Sequence, residues 1–251
     1  MSTTDVTLAI DGPIARATFV TDGGLNVLSS TVLDRVHAVA EEVRRADGVR
    51  VLVLAAEGKV FVAGADIKEL SGLDAAGALA ISERGNRAFD AIEHLPCVTI
   101  ARIHGAALGG GLEVALACDF RIAVKDAKIG LPESSLGLIP GWRGISRVRA
   151  LGGAKAVRRL TYTAAAVSAL EAQCLGVVDD VADDAAGLDA KVDERIAELR
   201  RGSPHAIRMI KQALRGGDES RAFADCFAHR EAKEGMAAFV EKRPAAWMKE
   251  G

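Results

Sequence analysis

"HGAALGGGLEVALACD", His104 to Asp119, sets three consecutive glycines, Gly109–Gly111, two residues ahead of Glu113 and follows them with a run apolar enough to be core. The flanks give the context. "CVTIARIHG" (97–105) is a β-branched, apolar run of the kind buried on both faces of a sheet, and "FRIAV" (120–124) is a further strand. The stretch therefore reads as strand, tight glycine turn, short buried helix, strand. A helix N-terminus carries unpaired N–H groups and the positive end of the helix dipole. Glycines there let a ligand approach the backbone with no Cβ in the way.

Three uses of such a turn are separable by spacing. A dinucleotide fingerprint starting at Gly109 requires Gly or Ala where Val114 stands. A phosphate loop starting at Gly105 places Gly110 correctly, but Gly111 and Leu112 occupy the required Lys and Ser/Thr positions. What remains is an anion hole for a carbonyl on which charge develops during reaction, set against plain close packing of strand on helix. "FVAGAD" (61–66), another glycine loop after a buried strand, can supply the second N–H of a pair. "LPESSLGLIPG" (131–141) brings a second carboxylate, Glu133, twenty residues after Glu113.

Outward from this centre, "VTLAI" (6–10) and "IARATFV" (14–20) predict a hairpin across Asp11-Gly12-Pro13. Ser29 or Ser30 caps a helix from about Thr31 to Arg45, and 49–58 is a buried strand. Helical sequence continues from about Leu70 to Leu95, where Pro96 stops it. Residues 127–144 read mostly as loop, and helices resume near Ser146. From about Leu188 onward only helices are predicted, broken at Gly202-Ser203-Pro204 and Gly216-Gly217. The expectation is an α/β core over 1–187 with a C-terminal helical region over 188–251.

Composition narrows the classes. Hydrophobic residues make up 49% of the 251, aromatic ones only 4%, and the formal net charge is −2, so the chain carries no basic excess for nucleic acid. Cys97, Cys118, Cys174 and Cys226 are scattered without CxxC spacing, and the five histidines form no HxxxH or HExxH pair, so neither a disulfide framework nor a metal site is expected. With no secretion signal or membrane-length apolar run in sight, a cytoplasmic location is expected.

Taken in order, "LNVLSSTVLDRV", "FVAGADIKEL", "HGAALGGGLEVALACDFRIAV", "AKIGLPESSLGLIPG" and "EGMAAFVEKRPA" resemble the crotonase superfamily, the enoyl-CoA hydratase/isomerase family, over nearly the whole chain. The resemblance implies a crotonase-like spiral of ββα units with a C-terminal helical trimerisation region, assembled as a homotrimer or a homohexamer built as a dimer of trimers. It implies reversible addition of water to a 2-trans-enoyl-CoA with Glu113 and Glu133 as the catalytic pair. The Ala65 and Gly110 N–H groups would form the oxyanion hole, and Gly141 would position the water. Leu25, Ala63, Asp66, Ile67, Lys68, Trp142 and Arg143 would contact substrate, while Phe239 and Lys242 would reach the CoA of a neighbouring subunit. The partner is an acyl-CoA thioester, coenzyme A being part of the substrate, with no separate cofactor, metal, nucleic acid or membrane. Enoyl-CoA isomerisation is the nearest alternative, and a non-catalytic acyl-CoA-binding protein is the alternative from another class. "PGWRGISRV" (140–148) departs from the usual "PGAGGTQRL": Trp142 could wall the acyl pocket or pack in the core, and Arg143 could meet a substrate carboxylate or lie at the surface. His104, where Asn is commoner, is expected to be structural.

Overall fold

A computed structural model describes residues 4–248. The hairpin forms as predicted: β1 (Thr4–Asp11) and β2 (Ile14–Thr21) pair antiparallel, with Asp11 opposite Ile14. Helix α1 (Ser30–Arg45) starts at the N-cap Ser29, whose side chain accepts from the Val32 N–H, and buries Val32, Leu33, Val36, Val39 and Val43 along one stripe. Strand β3 (Val51–Ala56) follows.

The helical stretch expected to run unbroken to Leu95 is in fact two helices, α2 (Ile67–Leu70) and α3 (Ala75–Glu93). Asp74 divides them. Its side chain accepts from the Gly77 N–H and starts α3 afresh. Next come β4 (Val98–Ile103), the two-residue β5 (Ala107–Leu108) and α4 (Gly110–Leu116), every residue of which is buried. Strands β6 (Phe120–Val124) and β7 (Lys128–Gly130) lead to a 3₁₀ turn at Pro132–Leu136 and then to α5 (Gly144–Thr161). Two further short strands, β8 (Val167–Ser168) and β9 (Asp180–Ala182), flank α6 (Ala169–Cys174); like β5 and β7, the latter inside the expected 127–144 loop, they were not predicted from sequence. The chain then turns helical: α7 (Ala185–Leu199), α8 (Pro204–Leu214), α9 (Glu219–Ala228) and α10 (Arg230–Val240).

The main sheet has the order β1-β2-β3-β4-β6-β9 and is parallel after the first hairpin; β5-β7-β8 forms a second, smaller sheet. The apolar run of β3 is continuous because both of its faces are covered. Leu52 and Leu54 join the core that contains α1, α3 and α4, while Val51 and Val53 join Ile100 and Ile122 beneath Leu188, Val192 and Ile196 of α7. Helix α7 thus closes the back of the sheet, and the expected boundary at 187/188 falls inside it.

Val62 bridges to Ala107, and Leu28 bridges to Ala65, which draws the 61–66 loop against the glycine turn.

Candidate active site

At Gly109 the chain adopts φ +52°, the conformation that glycine enters at least cost, and this sharp turn ends β5 and opens α4. The Gly110 N–H lies in the first turn of α4, where no intrahelical carbonyl can reach it. Across from it, the 61–66 loop runs extended beside Leu28. The Leu28 N–H donates to the Gly64 carbonyl at 2.8 Å, and the Asp66 N–H donates to the Leu28 carbonyl at 3.0 Å. Alternation along an extended segment therefore turns the Ala65 N–H to the opposite side, away from Leu28. The two loops nearly touch: a Cβ built on Gly64 would lie 3.8 Å from the Gly110 nitrogen.

These N–H groups border a cavity of about 340 Å³ whose lining includes Ala63, Ala65, Gly110, Glu113, Glu133, Gly141 and Trp142. Residues from α2, α3, α4, the 3₁₀ turn and the 140–144 loop thus converge on one space. Apolar side chains form its remaining walls: Ile67, Leu70, Ala78 and Ile81 from α2 and α3, and Leu136, Leu138 and Ile139 beyond Glu133.

The two carboxylates are in different surroundings. Glu113 is buried (1% exposed), and its Oε1 accepts two backbone hydrogen bonds, from Trp142 N at 2.8 Å and Gly144 N at 2.9 Å. Burial pushes its carboxyl up to about 7; the two N–H donors oppose that rise and nearby Glu133 adds to it. Glu133 is also raised by burial, and its Oε2 is a buried atom with no hydrogen-bond partner. Glu113 is therefore held as an acceptor by donors that favour its ionised form, whereas the inner oxygen of Glu133 has none.

Trp142 forms one wall. Its indole is buried and meets Phe89 edge to face at 5.5 Å, and its Nε1 donates to the Ile81 carbonyl at 3.1 Å. The ring lies in a slot between two glycines. A Cβ on Gly85 of α3 would fall 2.2 Å from Nε1, and one on Gly110 would fall 2.2 Å from Cζ3. The middle glycine of the GGG run thus serves a second purpose, close packing against the indole.

Arg143 does not contact the cavity, contrary to one of the two sequence readings. It sits at φ +64° ahead of α5, and its guanidinium extends outward to Asp90 at 3.0 Å. The neighbouring Arg147 is the buried cation. It donates to the Trp142 carbonyl at 2.7 Å and pairs with Asp90 and Glu93 of α3. Asp66, expected to contact substrate, is engaged as the N-cap of α2, accepting from the Lys68 and Glu69 N–H groups. Leu25 and Lys68 are exposed and do not line the cavity. Phe239 and Lys242 lie at and just beyond the end of α10 and do not line the cavity of their own chain. His104 turns its Nε2 to the Gly58 carbonyl at 3.1 Å, a structural contact. The sequence reading passed over Ser82, Gly85 and Arg147, which hold the loop around Trp142.

Two N–H groups turned to one cavity beside two carboxyls, Glu113 buried and Glu133 partly buried, are suited to polarising a carbonyl and exchanging protons at the carbons next to it. Residues 10–250 match the enoyl-CoA hydratase/isomerase family. The chain belongs to that family. It is 38% identical over 250 residues to a probable enoyl-CoA hydratase of Bacillus subtilis, covering 95% of this chain and 96% of that one. It is likewise 38% identical over 234 residues to a crotonyl-CoA hydratase of Syntrophomonas wolfei, covering 88% and 89%. The crystal structure of an enoyl-CoA hydratase from Bacillus anthracis superposes with a TM-score of 0.89 at 31% identity, covering 98% of this chain and all of that one. The fold is accordingly the crotonase fold with its C-terminal helices in place. Among the described residues no helix is long and apolar enough to cross a membrane.

Proposed function

We propose that this chain is an enoyl-CoA hydratase, adding water reversibly across the 2,3-double bond of a 2-trans-enoyl-CoA to give the 3-hydroxyacyl-CoA. The observation that carries this reading is the presence of two carboxyls, the buried Glu113 and the partly buried Glu133, in the same cavity as the free-facing Ala65 and Gly110 N–H groups. The thioester oxygen sits between those N–H groups. As the water oxygen bonds to C3, the π electrons move toward the thioester and negative charge gathers on that oxygen, where the two donors stabilise it. Glu113, supported at Oε1 by two N–H donors, takes the proton from water. Glu133, whose Oε2 has no hydrogen-bond partner among the described residues, delivers a proton to C2. The sum is H₂O added to the double bond, with no redox group called for; the proton now on Glu113 returns to Glu133 before the next turnover. Two like charges so close do not ionise together readily, so the pair cycles with one proton between them.

Gly141, whose loop carries the Glu113 donors, is taken to border the water, and Trp142 the acyl group. Phe223, Phe227, Met236 and Phe239 leave an exposed apolar face on α9 and α10, which supports a homotrimer or a hexamer. Trp247, the other aromatic of this region, is instead packed within the chain against Gly235, with Nε1 donating to the Arg201 carbonyl at 3.2 Å. The test is loss of the enoyl absorbance of crotonyl-CoA on adding the protein. Rapid loss in the wild type, abolished by Glu113→Gln and by Glu133→Gln, is expected. Absorbance that holds steady despite tight binding would leave an acyl-CoA-binding protein.

A further inference from the structure

We propose that Ser82 is a positioning residue for Glu113, acting through the Gly141–Trp142 peptide group. This rests on the assignment of Glu113 as the base. The Ser82 Oγ donates to the Gly141 carbonyl at 2.6 Å, and the N–H on the other side of that same peptide donates to Glu113 Oε1 at 2.8 Å. In a trans peptide the C=O and N–H point in opposite directions within one plane. The hydroxyl therefore fixes one end of the peptide and the carboxylate is met by the other. A rotation of this plane would remove a donor from Glu113 and aim a carbonyl toward it.

Two details separate this contact from an incidental surface bond. A serine inside a helix commonly turns its hydroxyl back to its own helix. Here the hydroxyl leaves α3 and crosses 59 positions in sequence to the loop. Asn86, one turn later on α3, donates its Nδ2 to the Ser82 oxygen at 3.4 Å, which leaves the hydroxyl proton for Gly141. A donor on the C=O also polarises the peptide and strengthens its N–H as a donor.

The adjoining contacts hold other parts of the loop. The Trp142 indole is tied to the Ile81 carbonyl, and Arg147 ties the Trp142 carbonyl, which belongs to the next peptide. Gly144 supplies the second N–H to Oε1. Among the described residues Ser82 alone grips the carbonyl of the peptide whose N–H meets Glu113. The charged groups around Glu113 are Glu133 from the 3₁₀ turn and Arg147 from α5, and Arg147 is itself paired with Asp90 and Glu93 of α3. None of these is altered by replacing a neutral hydroxyl.

The experiment is the pH dependence of kcat/KM for crotonyl-CoA in the wild type, Ser82→Ala and Ser82→Thr, with Glu113→Gln alongside. A weaker donor on Oε1 disfavours the carboxylate, so the acid limb of Ser82→Ala should move to higher pH by about 0.3–1 unit, the scale of part of one hydrogen bond. Its kcat should fall about 3–10-fold with KM within about twofold, and Ser82→Thr should restore both limb and kcat. An unmoved limb, or a loss confined to KM, would show Ser82 to be a mere cavity wall and overturn the proposal. If Glu113→Gln is inactive while Ser82→Ala keeps the wild-type profile, only the Ser82 role fails. If Glu113→Gln turns over normally, the base assignment fails and Ser82 falls with it.

Discussion

Gly85→Ala pits two effects of opposite sign against each other. Gly85 lies inside α3, where Ala is the better helix former by about 1 kcal/mol. On propensity alone the change stabilises. The added Cβ, however, would fall 2.2 Å from Trp142 Nε1 and 2.3 Å from Cδ1, far inside any contact distance. The indole has no room to recoil, because its far edge already fills the space over Gly110. It must rotate out of the slot. Doing so loses the bond to the Ile81 carbonyl, worth about 0.5–1.5 kcal/mol, and the edge-to-face contact with Phe89, worth about 0.5–1.5 kcal/mol. Residual overpacking adds about 1–3 kcal/mol. The steric cost wins, and a net destabilisation of about 1–5 kcal/mol is expected. In a Trp142→Ala background the slot is empty, so the same substitution should turn neutral or stabilising, which makes the two sites strongly coupled. The assay is urea unfolding by circular dichroism of the wild type, both single variants and the double variant at one protein concentration. If Gly85→Ala raises stability in the wild type, or shifts it equally in both backgrounds, the indole slot is not what requires glycine there.

Replacing either carboxyl, Glu113→Gln or Glu133→Gln, should lower kcat by about 10²–10⁴ with the fold intact, as stopped-flow or steady-state absorbance on crotonyl-CoA would record. Because burial raises Glu113 to about 7 and the base must be ionised, kcat/KM should rise with pH through that value and lie about 30-fold below its plateau at about pH 5.5. The sign for stability is opposite: a raised carboxyl favours the protonated fold, a contribution complete below its ordinary 4.5 and lost as pH rises through about 7. Arg143→Ala should leave kcat/KM unchanged for short, long and carboxylated enoyl-CoAs, since its charge is spent at the surface on Asp90; a selective loss on the carboxylated substrate would contradict the outward placement. Trp142→Ala should improve the ratio of kcat/KM for a long-chain over a short-chain enoyl-CoA by about 10-fold or more, the worth of one or two buried methylenes; an unchanged ratio would mean that the indole does not bound the acyl group.

What the sequence made legible was whatever repeats a local physical pattern. The hairpin at Asp11-Gly12-Pro13, the Ser29 cap, the buried run at 51–56 and the strand–turn–helix around Gly109 all follow from turn chemistry and from period-2 or period-3.6 burial. Strands β5, β7, β8 and β9 were missed because two or three residues are too few to show a period. The break before α3 was missed because the sequence stays compatible with helix, although Asp74 three residues ahead of Gly77 is a cap in plain view. At the site, Glu113 and Glu133 could be picked out by type and spacing. The direction of Arg143 could not, because it depends on a carboxylate more than fifty positions away. Gly85 carried a signal that went unused: a glycine in the middle of "ISERGNRAF" costs helix stability, and such a cost points to a close neighbour. Ser82 carried none, since its partner is a backbone carbonyl in a distant loop.

The central claim, that water adds across the double bond through two carboxyls, is tested most directly by isotope. Crotonyl-CoA is turned over in H₂¹⁸O and, separately, in D₂O, and the product is read by mass spectrometry and NMR. The account predicts a 3-hydroxyacyl-CoA with one ¹⁸O at C3 and one deuterium at C2, with the labelled product forming about 10²–10⁴ times more slowly when Glu113→Gln or Glu133→Gln is used. Double-bond migration without ¹⁸O would instead mark an isomerase and contradict the hydration mechanism, and recovery of unchanged crotonyl-CoA from the wild type would contradict catalysis altogether.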